Sequence, residues 1–207
     1  MDAYIWQDFE LPRGPIDNGG VASSKPKKRV SRDQWLSKGL ELFAVTGAQG
    51  LRVEVLARAV GVAKSGFYCH FKDRDEFLDR LLDYWAHEYT EVVTENTLMM
   101  HLPARDRLLL LMTMVFEQNL TEYDAAMDMW SRTDPRVARK RRRVINMRLA
   151  FIRKAFEELG FRGDELEMRT RACAGFQMGE RQMFGPGKAP SQRYRKLRLK
   201  MLMGETD

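Results

Sequence analysis

The chain has 207 residues, 44% of them hydrophobic, which is enough to bury a core and too apolar for a chain disordered throughout. Its formal net charge of +6 favours a polyanionic partner, either nucleic acid or an anionic membrane surface. Residues 25–80 hold twelve Lys and Arg against seven Asp and Glu, so most of the surplus charge is local. This concentration favours nucleic acid.

Several other classes of protein find no support in the sequence. Cys69 and Cys173 lie far apart, so we expect no disulfide and a reducing, cytoplasmic location. The first ten residues are acidic and lack the apolar segment of a secretory signal, and the apolar run 108–116 is too short to span a membrane. The histidines have no metal-ligand spacing and no glycine-rich phosphate loop is present, so we expect no metal, no cofactor and no enzymatic activity.

Residues 1–30 are rich in Pro, Gly and Ser and lack periodicity, so we expect a largely disordered arm. The arm closes on a basic cluster of Lys25, Lys27, Lys28 and Arg29. Two interpretations stay open for this cluster. It contacts DNA phosphates or a minor groove, or it is only a solubilising tail.

Two helical patterns follow the arm. Ser31 is a predicted N-cap for a helix that ends near Thr46, with Gly47 as its stop. From residue 53 to 60, apolar residues recur at spacings of three and four, which predicts a second, short helix. Gly61 then permits a sharp turn, as in a helix-turn-helix.

The segment after Gly61 has the composition of a DNA-contacting helix. Phe67 and Phe71 are expected to point inward, while small or basic residues let the backbone approach a duplex closely. The side chains expected to face the groove are Lys64, Ser65, Tyr68 and His70.

The rest of the chain is predicted to be helical, with no convincing strand. Asp73 is a predicted N-cap for a long amphipathic helix that reaches about Asn96. Further helices are predicted at 103–121, 134–160, 164–184 and 191–203, with a short segment at 123–130. In the helix 134–160 the spacing predicts an apolar seam of Ile145, Leu149, Ile152, Phe156 and Leu159.

Residues 32–78 resemble the tetracycline-repressor (TetR) family of bacterial regulators. The resemblance rests on Leu42-Phe43, Gly47, Leu56-Ala57, Gly61-Val62-Ala63, Gly66, Tyr68, His70-Phe71, Arg74-Asp75-Glu76 and Leu78. The chain departs from the family pattern where Leu51-Arg52 replace a capping Ser or Thr, where Gly39 replaces Ala, and where Arg74 replaces Lys. Beyond residue 80 the resemblance is one of architecture only.

The resemblance implies an all-α protein with a helix-turn-helix domain at 31–78 and a ligand-binding and dimerisation domain at 79–207. The helix from Ala63 to Tyr68 would enter the major groove, with Lys64 and Ser65 near base edges. Phosphate contacts are expected from Arg52, Tyr68, His70, Lys72 and Arg74. The partners implied are a palindromic double-stranded operator, a second copy of the chain and a small-molecule effector.

Two functional sites are predicted in the helical body. For each site, the simpler interpretation is that its residues pack only within the core of one chain. The dimer interface is expected at Ala172, Gly175, Phe176, Gly179, Met183, Tyr194, Leu197 and Met201. The effector pocket is expected to be lined by Trp85, Tyr89, Met112, Phe116, Tyr123, Met127 and Trp130.

The densest charge in the chain is the basic run from Arg136 to Arg143. A solvated face paired with nearby carboxylates is favoured over a site for an acidic partner or an anionic ligand. The leading hypothesis is a transcriptional repressor whose operator affinity falls when a small molecule binds. The alternative is a basic nucleoid or peripheral membrane protein that binds without sequence choice.

Overall fold

A computed structural model describes residues 30–184 and 192–205. In these two ranges the chain is helical and contains no strand, as the sequence predicted. The basic cluster with Lys27, Lys28 and Arg29 lies outside the described residues. The N-terminal elements are α1 (Arg32–Gly50), α2 (Val53–Val60), a 3₁₀ helix (Lys64–Cys69) and α3 (Arg74–Ala86).

The remaining elements form the helical body. They are a π-helical turn (His87–Glu91), α4 (Val92–Thr94), α5 (Thr97–His101), α6 (Ala104–Glu117), α7 (Asp124–Ser131), α8 (Pro135–Glu158), α9 (Gly163–Phe184) and α10 (Gln192–Met203). The helix α8 runs through the body and packs against α6, α7 and α9. Among the described residues, no helix combines the length and apolar character needed to cross a bilayer.

The ends of the first two helices are set by identifiable residues. Ser31 and Gln34 form a capping box at the start of α1. The helix is kinked at Gly47, whose φ of 64° lies in the left-handed region, and then continues to Gly50. Arg52 stands at the N-cap of α2 without a side-chain capping bond, and Gly61 ends α2 with a φ of 79°.

An aromatic cluster holds the N-terminal helices together. Phe67 packs edge-on against Trp35 at 5.6 Å and lies 5.1 Å from Phe71, whose ring meets Phe77 at 5.0 Å. All four rings are almost fully buried, which confirms that Phe67 and Phe71 point inward. A Cβ at position 39 would come within 2.6 Å of Phe77 Cζ, so Gly39 makes room for that ring.

The long helix predicted to run from Asp73 to about Asn96 differs from the one observed. Asp73 caps it as expected, but a π-helical turn at 87–91 interrupts it, and it ends at Thr94. Residues 97–101 form the separate helix α5. We call residues 74–94 the connecting helix, because it starts in the N-terminal domain and ends in the body. Its π turn is a feature that often marks a functional position.

The apolar seam predicted for α8 was partly wrong. Ile152 and Phe156 are buried as expected, but Ile145 and Leu149 are only half-buried. The buried face also includes Val144 and Phe151. The difference arises because α8 contacts helices on more than one side, which a single narrow seam does not describe.

Candidate DNA-binding surface and effector cavity

Most of the described side chains predicted to contact DNA lie in or near the 3₁₀ helix and are exposed. Tyr68 is 53% exposed although its ring packs edge-on against Phe67, so its hydroxyl end is held outward on a rigid support. The side chains of Arg52, Lys64, Ser65 and Lys72 are also exposed, and His70 is half-buried. The residues between them are anchored in the core by Phe67 and Phe71.

Lys64 has an acidic partner that the sequence analysis missed. Its Nζ lies 2.5 Å from Glu54 Oε1, on the first turn of α2. This hydrogen bond lowers the pKa of Glu54 and raises the pKa of Lys64. The ten-residue separation gave no periodic signal, so only the folded chain brings the two charges together.

Arg74 makes different contacts from those expected of a phosphate-binding residue. Its Nε donates to the carbonyl of Leu51 at 2.8 Å, and its Nη2 donates to the carbonyl of Ala48. These bonds tie the start of the connecting helix to the end of α1 and to the residue before Arg52. In the free protein this guanidinium therefore braces the N-terminal helices, and its phosphate contact stays a prediction.

A mostly apolar cavity lies between the connecting helix, α6, α8 and α9. Its volume is about 40 Å³, room for only a few water molecules. Its wall consists of Tyr89, Thr90, Val93, Thr94, Leu111, Val115, Leu120, Thr121, Arg148, Phe151, Ile152, Ala174, Gln177 and Met178. A larger ligand must therefore displace side chains or helices of this wall, which includes the connecting helix and α8.

Of the residues predicted to line an effector pocket, only Tyr89 lies on this cavity wall. Four of the others are buried in the core, namely Trp85, Met112, Tyr123 and Met127. Trp130 packs on Phe43 at 5.1 Å, and Phe116 is half-buried away from the cavity. Helical spacing marks residues that face inward, but it does not distinguish a filled core from a cavity wall.

Arg148 connects the cavity to the π turn. Its Nε donates to Thr90 Oγ1 at 2.9 Å, and its Nη2 donates to the carbonyl of Tyr89 at 3.2 Å. The guanidinium also pairs with both carboxylate oxygens of Asp124, at 2.6 and 3.2 Å. This residue was not singled out from the sequence, because a lone Arg in a basic helix carries no distinguishing pattern.

Part of the basic run on α8 is paired with carboxylates, as the sequence analysis favoured. Arg136 contacts Asp79, and Lys140 contacts Asp83, both on α3. Arg141 lies 3.0 Å from Asp128 on α7. The run therefore joins the body to the connecting helix through charge pairs.

Residues predicted for the dimer interface form an exposed apolar face on α9 and α10. Its large exposed members are Phe176, Met183, Tyr194, Leu197 and Met201. A Cβ at Gly175 or Gly179 would meet no heavy atom within 4 Å, and only Ala172 packs partly against the core. Arg198 lies 5.2 Å from the rings of both Phe176 and Tyr194 and pairs with Glu180, which orders this face.

Residues 36–81, which form the N-terminal helices and the start of the connecting helix, match the family described as bacterial regulatory proteins, tetR family. Through these residues the chain carries a domain of the TetR family, whose members are DNA-binding transcriptional regulators. No curated protein matches the sequence significantly.

Solved structures share a TetR-like fold with most of the chain. FadR from Bacillus subtilis, solved in complex with stearoyl-CoA, aligns with a TM-score of 0.62 at 15% identity, over 86% of this chain and all of its own. AibR, solved with isovaleryl coenzyme A and operator DNA, aligns at 0.61 and 14% identity over 84% and 99%. A putative TetR-family regulator from Mesorhizobium loti MAFF303099 aligns at 0.63 and 14% identity over 84% and 93%. At these identities the TetR fold is what the chains share.

Proposed function

We propose that this TetR-family protein is a repressor that binds a palindromic operator as a homodimer and is released by a small-molecule effector. The observation that carries the proposal is the connecting helix, which begins at the DNA-binding surface and reaches the cavity at Tyr89 and Thr90. A movement at the cavity therefore has a direct path to the surface around Tyr68.

The small size of the cavity supports an effector-driven change of conformation. A cavity of about 40 Å³ accepts no organic ligand without displacement of its walls. A ligand that fits only the widened state shifts the population toward that state, because its affinity for the two states differs. If the widened state places the two DNA-binding domains differently, operator affinity falls by the same coupling free energy.

The chemistry of the effector is suggested by the apolar wall and by the neighbours. FadR and AibR were solved with acyl-CoA molecules of very different chain length. An acyl chain fits a wall dominated by Val, Leu, Ile and Phe side chains. We therefore propose an effector with an apolar, acyl-like portion that enters the cavity.

A dimer formed through α9 and α10 would bind two half-sites. A single helix-turn-helix buries little surface, so specificity normally comes from two-fold symmetry with half-sites about one helical turn apart, or a multiple of it. The exposed apolar face with Phe176, Leu197 and Met201 is the surface suited to such a contact.

Selection from random double-stranded DNA tests the regulator against the alternative of non-specific binding. The proposal predicts enrichment of an inverted repeat, and Lys64→Ala or Tyr68→Ala should weaken the shifted band at moderate salt while the protein stays folded. Equal affinity for all duplexes would instead support a nucleoid or membrane-surface protein.

The dimer is tested by mass in solution. Leu197→Glu should give a monomer, because it places a charge within the apolar face, whereas Leu98→Glu changes another exposed leucine outside that face and should leave a dimer. A monomeric wild-type protein would contradict the interface.

A further inference from the structure

The cavity wall carries a single charged residue. Arg148 is the one Lys, Arg, Asp or Glu among the described residues that line it, and the other polar groups are uncharged hydroxyls and the amide of Gln177. Whether the charge of Arg148 is paired within the protein therefore decides which ligands the cavity accepts.

That charge is already neutralised inside the protein. Asp124 accepts from both terminal nitrogens of Arg148, and the side chains are only 6% and 15% exposed, respectively. A bidentate pair of this kind is a charge-assisted contact with little solvent screening. The cavity therefore presents a hydrogen-bond donor without a net positive charge.

The number of free donors is also limited. A guanidinium has five N–H groups. Within the described part of the chain, four of them have acceptors in Asp124, Thr90 and the carbonyl of Tyr89. One hydrogen on Nη1 has no acceptor among these residues. A single donor of this kind suits one carbonyl oxygen better than a carboxylate that seeks two parallel donors.

We infer that the buried portion of the effector is an uncharged acyl derivative, such as an amide, ester or thioester, whose carbonyl accepts from Arg148, and that a free carboxylate is rejected. The inference rests on the proposed function, since it specifies the ligand of the same cavity. A carboxylate beside the Arg148–Asp124 pair would leave one buried negative charge uncompensated, which is costly in a site walled by apolar side chains.

The same geometry links the ligand's head group to the connecting helix. The bonds that Arg148 donates to Thr90 and to the Tyr89 carbonyl hold the π turn. A carbonyl that binds the remaining Nη1 hydrogen pulls on the same guanidinium that makes these bonds. An uncharged acyl ligand is thus positioned to loosen the π turn as it binds.

The test compares three probes that share a six-carbon acyl chain, namely hexanamide, methyl hexanoate and hexanoate, on the wild-type protein by calorimetry at pH 7.5. The chains are matched, and only hexanoate is charged. We expect the amide and the ester to bind at least roughly tenfold more tightly than the acid. Tighter or equal binding of hexanoate would overturn the inference, whereas the cavity would remain an effector site.

Asp124→Asn supplies the second arm. It keeps the size of the side chain and removes the internal counter-charge of Arg148, so hexanoate should now gain roughly tenfold or more relative to hexanamide. Asp106→Asn removes the same charge from an exposed position on α6 and should leave the wild-type preference. An unchanged preference in folded Asp124→Asn protein would contradict the role given to the pair.

Failure of the broader proposal looks different. If none of the probes binds either protein, both this inference and the cavity as an effector site are overturned. Selection from random DNA tests sequence-specific DNA binding separately, because it does not depend on the probes.

Discussion

Nη1 of Arg136, at the start of α8, lies 3.1 Å from Oδ1 of Asp79 on the connecting helix. One turn further along α8, Lys140 pairs with Asp83. The same helix carries Arg148, which holds the π turn of the connecting helix from the cavity side. The connecting helix is therefore attached to α8 near the DNA-binding domain and again at the cavity.

Loss of the two charge pairs should weaken the protein only slightly and in a salt-dependent way. All four side chains are partly exposed, so Asp79→Asn with Asp83→Asn should lower the free energy of unfolding by up to about 1 kcal/mol per pair at low salt. In 1 M NaCl the Debye length falls to about 3 Å and the difference should shrink. Urea denaturation at both salt concentrations measures this, with Asp106→Asn as control. An equal loss at high salt would mean that the effect is not electrostatic.

Residues that contact bases and residues that contact phosphates should be distinguishable by how their substitution changes sequence specificity and the salt dependence of DNA affinity. Lys64→Ala should cost about 1–3 kcal/mol on the selected operator and relax specificity at one position. Lys72→Ala should weaken operator and random DNA alike and reduce the slope of log affinity against log salt by about 1. Fluorescence anisotropy titrations over a range of salt concentrations distinguish the two. A uniform loss for Lys64→Ala would reassign it to the phosphates.

Gly39→Ala should destabilise the N-terminal domain although alanine favours a helix by about 1 kcal/mol. The new Cβ would lie 2.6 Å from Phe77 Cζ, and Phe77 is held by Phe71 at 5.0 Å, so the ring has little freedom to move. We expect a net loss of about 1–3 kcal/mol in thermal or urea unfolding. Phe77→Leu removes the obstacle, and Gly39→Ala should cost less in that background. An equal cost in both backgrounds would rule out this contact as the cause.

The cap of α8 should give a pH-dependent contribution. The hydrogen bond from Arg136 holds the pKa of Asp134 below its usual 3.8, so the carboxylate stabilises the folded protein above about pH 4 and loses this effect as the pH falls through the folded value. Asp134→Ala should cost about 1 kcal/mol near pH 7. Below pH 4, the difference in the free energy of unfolding between Asp134→Ala and the wild type should become smaller. A constant gap down to pH 3 would contradict the assignment.

The two cysteines should differ in reactivity and in protection by DNA. Cys69 is exposed at the end of the 3₁₀ helix, whereas burial raises the pKa of Cys173 to about 12. Iodoacetamide should therefore modify one thiol in the native protein, and Cys69→Ser should remove that reaction. Operator DNA should slow modification of Cys69, and mass spectrometry of the peptide reads both effects. Fast labelling of Cys173 would show that α9 opens readily.

Much of the N-terminal domain could be predicted because its signals are local. Ser31, Gly61 and Asp73 act through caps and turns within a few residues of themselves, and helical spacing places Phe67 and Phe71 inward. The apolar face on α9 and α10 could also be predicted, since the exposed residues Leu197 and Met201 repeat at helical spacing. The residues that line the cavity could not be predicted, because Trp85 and Met127 have the same spacing whether they fill a core or line a cavity.

The all-helical character of the chain, the family of its first domain and the residues that cap its helices follow from local sequence, because those properties depend on neighbours three or four positions away. Which charges meet depends instead on how the helices pack. The tertiary structure pairs Lys64 with Glu54, turns Arg74 toward the carbonyls of α1, and joins Arg148 to both Asp124 and the π turn. The partners of Arg148 lie 24 and 59 positions away in the sequence, and such separations give no periodic pattern from which the contacts could be predicted.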